Sequence, residues 1–331
     1  PQLTRLNNYV KHVTEPQRAV INGVVEGASA DGAPVLVNCE QKGTVQDGKF
    51  SIEGLEAGSY EVKIGETDTT EESAVQNISV SAGETKPLTF TVNAKTGTVS
   101  GSVTAPKSFT DTATVELLDQ DDNPVGQPQT VGRGKFDYEF KDVPMGEYSV
   151  QVSTQVDGFY GEKQGPFNLG HNANVTRDLT IKANAATVRG KVVDENGNTV
   201  KDATVKLRGT NHEDTTGSDG LFTLSGITDL DTASGEYTLE VGQTEKTEAA
   251  TQTVTVNVGK PTNAGEIRVD LRKGSVSGRV TNEAEEAVEN ATVRLVGAGQ
   301  DDKETTTDAD GNYTFGDVTP GKYDVRVEET P

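Results

Sequence analysis

Four blocks of this 331-residue chain carry the same landmarks in the same order, and this repeat limits the fold more than any other feature. Each block contains a Gly-x-Tyr-x-apolar segment, and the four tyrosines are Tyr60, Tyr148, Tyr237 and Tyr323. Successive tyrosines lie 88, 89 and 86 residues apart. A constant period of this length predicts tandem copies of one small domain rather than a single large fold.

Three further landmarks precede each tyrosine. They are a Gly-x-Val strand, an alternating strand that opens with Ala, and a turn glycine followed by an aromatic residue. The first begins at Gly23, Gly101, Gly190 and Gly278, the second at Ala33, Ala113, Ala203 and Ala291, and the third comprises Gly48-Lys49-Phe50, Gly134-Lys135-Phe136, Gly220-Leu221-Phe222 and Gly311-Asn312-Tyr313. Alternation of apolar and polar residues predicts strands with one buried face. Asp-Gly pairs before three of the aromatic strands predict tight hairpins.

We therefore predict an all-β chain of four tandem Ig-like or transthyretin-like β-sandwiches with a short N-terminal arm. The predicted boundaries are 1–18 for the arm and 19–94, 95–184, 185–272 and 273–331 for the sandwiches. The linkers, at 93–97, 182–185 and 272–274, are short and should restrict the orientation of neighbouring domains. They predict an elongated, stiff rod on the order of 120 Å long, given about 20 Å for a strand of six residues.

The fourth block stops early. The third block continues after its tyrosine through two strands, at 253–258 and 266–271, that have no counterpart after Tyr323. A sandwich without them would expose core and an unpaired edge. Either the chain continues beyond Pro331, which we favour, or another chain adds the missing strands.

The hairpin Thr307–Tyr313 and the following Val318–Tyr323 resemble the carboxypeptidase regulatory-like domain. That family has a transthyretin-like, seven-stranded sandwich, related in outline to the Cna B-type repeats of surface adhesins. The resemblance covers about 19–331, is clearest in the fourth block and weakest in the first, and implies a passive structural module. Cna B-type domains often form a Lys–Asn isopeptide with an acid four residues after the tyrosine. The corresponding residues are apolar, so no such crosslink is expected; they are Ile64, Val152, Val241 and Val327.

The composition is strongly acidic, with 52 Asp and Glu against 30 Lys and Arg and a net charge of −22. Phosphate backbones and anionic membrane faces repel such a surface, which disfavours nucleic-acid binding. The charge is similar to that of proteins from halophilic archaea and their viruses, although acidic secreted proteins of ordinary habitats are an alternative. No run approaches the ~20 apolar residues of a membrane span. No signal peptide is recognisable, and the start at Pro1 fits either loss of an initiator Met or a mature secreted form.

The segment 1–18 differs from the rest of the chain in charge and pattern. Arg5, Lys11 and Arg18 against Glu15 make the segment basic, and apolar residues recur at near-helical spacing. An amphipathic helix or extended arm that docks on a partner is one interpretation, and a frayed terminus is the other. The predicted docking residues are Leu3, Arg5, Leu6, Val10 and Lys11. The partners would be other structural proteins of the same assembly, and we expect a homo-oligomer.

Catalytic chemistry has little support. The three histidines, His12, His171 and His212, fall in separate segments without metal-ligand spacing, and no nucleophile elbow, phosphate loop or dinucleotide motif occurs. We therefore predict neither an enzyme nor a cofactor. Weak cation candidates are Asp308, Asp310 and Asp121, which fall short of a full calcium loop. Candidate glycosylation sites are Asn77, Asn174, Asn290 and Asn312. Cys39, the single cysteine, follows Val35 and Val37 at alternate positions and is expected in the core, with a reactive thiol as the alternative.

These observations predict a structural spacer on an exterior surface. Our first hypothesis is a virion component, such as a capsid turret, decoration or tail fibre of a virus with a halophilic host. A secreted cell-surface adhesion stalk is the alternative, and a host receptor or glycan would be its ligand. A carbohydrate-binding accessory module is a third hypothesis. Sugar platforms use exposed aromatic residues, and Phe159-Tyr160 is the cluster that such a role would require.

Overall fold

The computed structural model describes residues 17–297 and 301–328. All regular secondary-structure elements in these ranges are β-strands. The predicted all-β class is therefore confirmed. Strand pairing groups the described strands into four pairs of sheets, each of which we call a sandwich, and one further sheet of two short strands. In the described part of the chain there is no helix of the length and hydrophobicity needed to cross a bilayer.

The first sandwich shows the full plan of seven strands. They are β1 (Ala19–Gly27), β2 (Pro34–Val37), β3 (Glu40–Thr44), β4 (Lys49–Leu55), β5 (Gly58–Ile64), β6 (Gln76–Val80) and β7 (Thr85–Val92). One sheet has the order β4-β1-β7 and the other β3-β2-β5-β6. Strand β7 pairs with β1 in parallel, and β4 pairs with β1 in antiparallel fashion. Alternate side chains of both sheets, such as Ile21 and Ile64, meet in one buried core.

The second sandwich follows this plan with additional short strands. Its strands are β8 (Thr96–Thr104), β9 (Thr112–Leu118), β10 (Pro124–Gly132), β11 (Asp137–Pro144), β12 (Gly146–Ser153), β13 (Phe159–Tyr160), β14 (Lys163–Leu169), β15 (Asn174–Thr176), β16 (Leu179–Thr180) and β17 (Lys182–Ala183). One sheet has the order β10-β9-β12-β14. In the other, β11, β15 and β16 all pair with β8. The short strands β13 and β17 pair with each other, so part of the predicted second linker is itself a strand.

The third sandwich has the plan of the first. Its strands are β18 (Ala186–Asp194), β19 (Thr204–Leu207), β20 (Glu213–Thr215), β21 (Leu221–Ile227), β22 (Ser234–Val241), β23 (Ala250–Asn257) and β24 (Pro261–Val269). The sheet orders are β21-β18-β24 and β20-β19-β22-β23. The first and third sandwiches are thus the most alike, because both have seven strands arranged in the same two sheet orders.

The fourth sandwich has fewer strands in its described residues. They are β25 (Gly274–Arg279), β26 (Thr292–Gly297), β27 (Lys303–Thr306), β28 (Asn312–Val318) and β29 (Tyr323–Val327), in the orders β25-β28 and β27-β26-β29. Nothing described takes the places of β6 and β7. Val325 and Val327 are consequently 41% and 50% exposed, whereas the corresponding Val62 and Ile64 are fully buried.

The described chain forms two compact units, and their limits do not coincide with the ends of the sandwiches. The first unit contains the described residues up to Thr104, with Thr112–Thr154 and Gly161–Thr180. The second contains Ala105–Asp111, Gln155–Tyr160 and the described residues from Ile181 onward. Two short segments of the second sandwich therefore pack with the third. The predicted domain boundaries stay a prediction.

The glycine of each Gly-x-Val strand and the aromatic residue after each turn glycine are explained by a contact between that glycine and the aromatic ring. Strand pairing places Gly23 opposite Phe50, and a Cβ at Gly23 would lie 2.0 Å from the ring. The pairs Gly190–Phe222 and Gly278–Tyr313 repeat this arrangement. A glycine is required in the opening strand because the ring occupies the space of a side chain.

In the second sandwich our assignment of the third landmark was wrong. Tyr138, and not Phe136, lies opposite Gly101. The turn at Gly134 is followed by two additional residues before the strand pairs, and Phe136 is only half-buried. The Tyr138 hydroxyl donates a hydrogen bond to the Arg177 carbonyl. Burial raises the pKa of Tyr138 to about 12.

The Gly-x-Tyr segment common to the four blocks is explained by hydrogen bonds between the tyrosine hydroxyl and the preceding turn. The hydroxyl of Tyr60 donates to the Glu56 carbonyl at 2.9 Å, and that of Tyr148 donates to the Pro144 carbonyl at 2.9 Å. Tyr323 makes the same bond to the carbonyl four residues earlier. The Tyr237 hydroxyl instead accepts the backbone N–H of Asp231 at 3.0 Å. Each tyrosine thus closes the corner between two strands, as tyrosine corners do in Ig-like sandwiches.

The prediction that Cys39 lies in the core was wrong. Cys39 is exposed, in the two-residue turn between β2 and β3. Asn38 and Cys39 both have positive φ, 50° and 66°, as a type I′ hairpin requires. The alternation that buries Val35 and Val37 ends at the turn, where the chain reverses before a third inward residue.

We expect Gly23→Ala to destabilise the first sandwich by about 1–3 kcal/mol, because the new methyl group overlaps the Phe50 ring. Gly58→Ala is the matched control, since a Cβ there meets nothing closer than Tyr60 at 3.9 Å. Calorimetric unfolding of the full chain measures the loss. Equal effects of the two substitutions would contradict the proposed contact.

We expect the Cys39 thiol to react with a thiol reagent in the folded protein as fast as in urea. Cys39→Gly should stabilise the first sandwich by about 0.5–1 kcal/mol, because glycine adopts positive φ without steric cost. The reaction rate and the unfolding temperature measure these effects. A thiol that reacts only after unfolding would show that Cys39 is protected after all.

Candidate functional site

The predicted docking residues cannot be placed. Leu3, Arg5, Leu6, Val10 and Lys11 all lie outside the described residues, as does His12. Docking through the arm therefore stays a prediction. The two described histidines lie in different sandwiches: His171 is exposed, and His212 lies 3.2 Å from an Asp229 carboxylate oxygen.

The cation candidates are part of hydrogen-bonded turns. Asp308 Oδ1 accepts the backbone N–H groups of Asp310 at 3.0 Å and Asn312 at 2.8 Å. Near Asp121, the carboxylate of Asp119 accepts N–H groups in the same way, and the N–H of Asn123 lowers the pKa of Asp119. No group of three or more metal-ligating side chains occurs within 17–297 and 301–328. These carboxylates close turns, as Asx turns do.

The four glycosylation candidates are accessible. Asn77, Asn174, Asn290 and Asn312 are all exposed on the described surface. The positions that an isopeptide acid would need are apolar and, in the first three sandwiches, buried: Ile64, Val152 and Val241. An apolar side chain cannot carry the proton that this crosslink chemistry transfers.

The aromatic pair that a glycan platform would require is split between core and surface. Phe159 is only 6% exposed and packs edge-on against Phe109, with 5.2 Å between ring centroids. Tyr160 is 48% exposed. These two residues therefore do not form the exposed two-ring platform that a sugar-binding role would require, because β13 turns the Phe159 ring into the protein.

Phe109 and Phe159 belong to the two segments of the second sandwich that pack within the second compact unit. There, the Asn184 N–H donates to the Gly158 carbonyl at 2.8 Å, and β13 pairs with β17. Two exposed ion pairs lie at the edge, Lys107–Asp231 at 3.3 Å and Asp157–Lys260 at 3.0 Å. Exposed pairs contribute little, so the buried rings provide most of the stabilisation.

A second feature common to the first and third sandwiches is a turn of four residues after the fifth strand, which we call the threonine turn. In Thr67–Thr70, the Thr67 hydroxyl accepts the N–H groups of Thr69 and Thr70 at 3.2 and 3.0 Å. The turn 244–247, its counterpart in the third sandwich, repeats these bonds at 3.2 and 3.1 Å. The sequence pattern Thr-x-x-Thr after the tyrosine strand was the signal for it.

Each threonine turn holds the linker that leaves its sandwich. The Lys95 N–H donates to the Thr69 carbonyl at 2.8 Å, and the Arg272 N–H donates to the Lys246 carbonyl at 2.8 Å. The second linker is held differently, through the bond from Asn184 to Gly158. All three linkers are therefore hydrogen-bonded to the protein rather than free in solvent.

Comparisons with known proteins agree with this architecture. The family model of the carboxypeptidase regulatory-like domain matches residues 187–270 and 275–330. The resemblance is thereby confirmed for the third and fourth blocks. None of the curated proteins matches the sequence.

Solved structures show the fold. The Bacillus anthracis TIE protein is 16% identical, with a TM-score of 0.52 over 76% of this chain and 51% of that one. This chain thus spans about half the length of that protein. The major pilin subunit BcpA of Bacillus cereus is 10% identical, with a TM-score of 0.35 over 77% of this chain and 100% of the pilin. The pilus adhesin SpaC from Lactobacillus rhamnosus GG is 11% identical, with a TM-score of 0.36 over 99% of this chain and 52% of the adhesin. The similarity to the TIE protein is a similarity of fold alone.

We expect Phe159→Ala to destabilise the second compact unit by about 3–5 kcal/mol, because the ring leaves a cavity beside Phe109. Tyr160→Ala should change stability by less than about 0.5 kcal/mol, since its side chain is half exposed. Calorimetry of the full chain compares the two. A larger loss from Tyr160→Ala would refute the assigned packing.

Proposed function

We propose that this chain is a non-enzymatic structural spacer, displayed outside the cell as part of an adhesion stalk. One observation carries the proposal: every linker is hydrogen-bonded to the protein, through the N–H groups of Lys95, Asn184 and Arg272. Domains joined by free linkers move independently, whereas tied linkers restrict the distance between successive domains. A spacer needs such restriction, and a set of independent binding modules does not.

The surface chemistry supports an extracellular location. The net charge of −22 keeps the chain solvated and opposes association with other anionic surfaces. Exposed sequons such as Asn77 and Asn174 would be accessible to glycosylation. The first three cores are built from alternating apolar residues and need no disulfide, since Cys39 is the single cysteine. A homo-oligomer, the halophilic source and the virion location stay predictions.

A sugar-binding module has less support than a spacer. Its required aromatic cluster is incomplete, because the Phe159 ring is buried against Phe109. The exposed Tyr160 alone lacks the second stacking surface. The spacer role rests on the linkers and not on the names of the pilin and the pilus adhesin reported above.

Protease treatment of intact cells of the source organism tests the proposal. We expect trypsin to release peptides from all four sandwiches while a cytoplasmic marker protein stays intact. The control is the same digestion after lysis, which should release both. Release of this chain only after lysis would overturn the extracellular location. Recovery of the chain exclusively in purified virus particles would overturn the stalk in favour of the virion.

A further inference from the structure

The first and third linkers follow one plan and differ in how tightly they are held. Lys95 and Arg272 occupy equivalent positions after the first and third sandwiches, and each donates its N–H to the third residue of a threonine turn. In addition, each points its cationic side chain at the first carbonyl of that turn. The two linkers can therefore be compared bond by bond.

The side chain of Lys95 is held more closely than that of Arg272. Lys95 Nζ donates to the Thr67 carbonyl at 2.7 Å and lies 3.1 Å from a Glu66 carboxylate oxygen. Arg272 lies farther from its partners, at 3.4 Å from the Thr244 carbonyl and 3.7 Å from a carboxylate oxygen of Glu248, which follows the turn. The Lys95 side chain is 16% exposed and that of Arg272 45%. Water screens the second set of contacts more strongly than the first.

The backbone carbonyl groups of Lys95 and Arg272 also differ in the hydrogen bonds that they can accept. The Lys95 carbonyl accepts the backbone N–H of Met145 at 2.9 Å. Met145 precedes Tyr148 by three residues, and the residue three before Tyr323 is Pro320. Proline has no backbone N–H, so Pro320 cannot donate the equivalent bond to Arg272. Lys95 is thus bonded to the sandwich on either side of it, whereas this bond to the fourth sandwich is lost.

We propose that the chain contains one stiff joint and one pivot: Lys95 fixes the second sandwich to the first, whereas Pro320 lets the fourth sandwich bend about a linker that Arg272 ties to the third. The first sandwich and most of the second lie in one compact unit, and the third and fourth lie in the other. Bending between the third and fourth sandwiches would let the chain adjust its direction while the first two keep theirs. The inference concerns mechanics and does not depend on where the protein is displayed.

Spin-label distance measurements on the full chain test this proposal. Matched label sites follow the aromatic residue of each sandwich by one position and are exposed: Ser51→Cys with Glu139→Cys for the stiff joint, and Thr223→Cys with Thr314→Cys for the pivot. Cys39→Ser removes the native thiol. We expect the distance distribution of the second pair to be about twofold broader than that of the first, as for domains that lack a restraining contact.

Two variants then loosen the stiff joint. Met145→Pro copies Pro320 and removes the N–H that Lys95 accepts, and Lys95→Ala removes the ammonium group. Each should broaden the first distribution about twofold towards that of the second. Lys42→Ala is the control, because it removes an exposed ion pair with Glu40 away from the linker and should leave the width unchanged. Circular dichroism identifies any variant that fails to fold, and the other then decides.

Two results would overturn the proposal. One is an equal width for both native pairs, and the other is an unchanged first distribution in a folded variant of Met145 or Lys95. Surface exposure of the protein on cells is measured separately, so failure of the joints leaves the spacer proposal to its own test.

Discussion

The contact between an aromatic ring and the backbone of a glycine underlies the whole arrangement. Phe50 lies over Gly23, and no side chain at that position could coexist with the ring. This contact sets the register between the opening strand and the fourth strand. Register matters because a slip of one residue would turn every core side chain outward. The opening strand follows the preceding linker in the chain, so the glycine contact also determines where that linker ends.

The linkers connect this packing to function. Since the opening strand is held in register, Lys95 arrives next to the threonine turn of the preceding sandwich, where its N–H and ammonium group find carbonyl partners. The tyrosine corner fixes the other side, because Met145 lies three residues before Tyr148. Small backbone differences at these points, such as proline for methionine, change the freedom between neighbouring domains without changing any core.

Much of the fold was predictable, and the failures share a cause. Strand alternation, turn glycines and regular tyrosine spacing depend on local geometry, which sequence periodicity reports directly. Cys39 and Phe136 were misassigned because a hairpin turn or two additional residues interrupted the alternation. The sequence gives no sign that Phe159 is buried, because its burial depends on Phe109, which is distant from it in sequence. The lack of metal-ligand spacing among the histidines was read from the sequence alone, and the structure adds that the Asp119 and Asp308 carboxylates accept N–H groups within their own turns.

The amino-acid sequence by itself determined the number of repeats, the all-β class, the acidic surface and the glycine and tyrosine positions of each sandwich, together with the aromatic position in three of the four. These follow from side-chain alternation and backbone preference over a few residues. Only the tertiary structure decided that Lys95 bonds to both neighbours, that Pro320 interrupts the equivalent contact, and that Phe159 is buried. Those outcomes depend on hydrogen-bond donors and acceptors from distant segments meeting within about 3 Å, which no local pattern encodes.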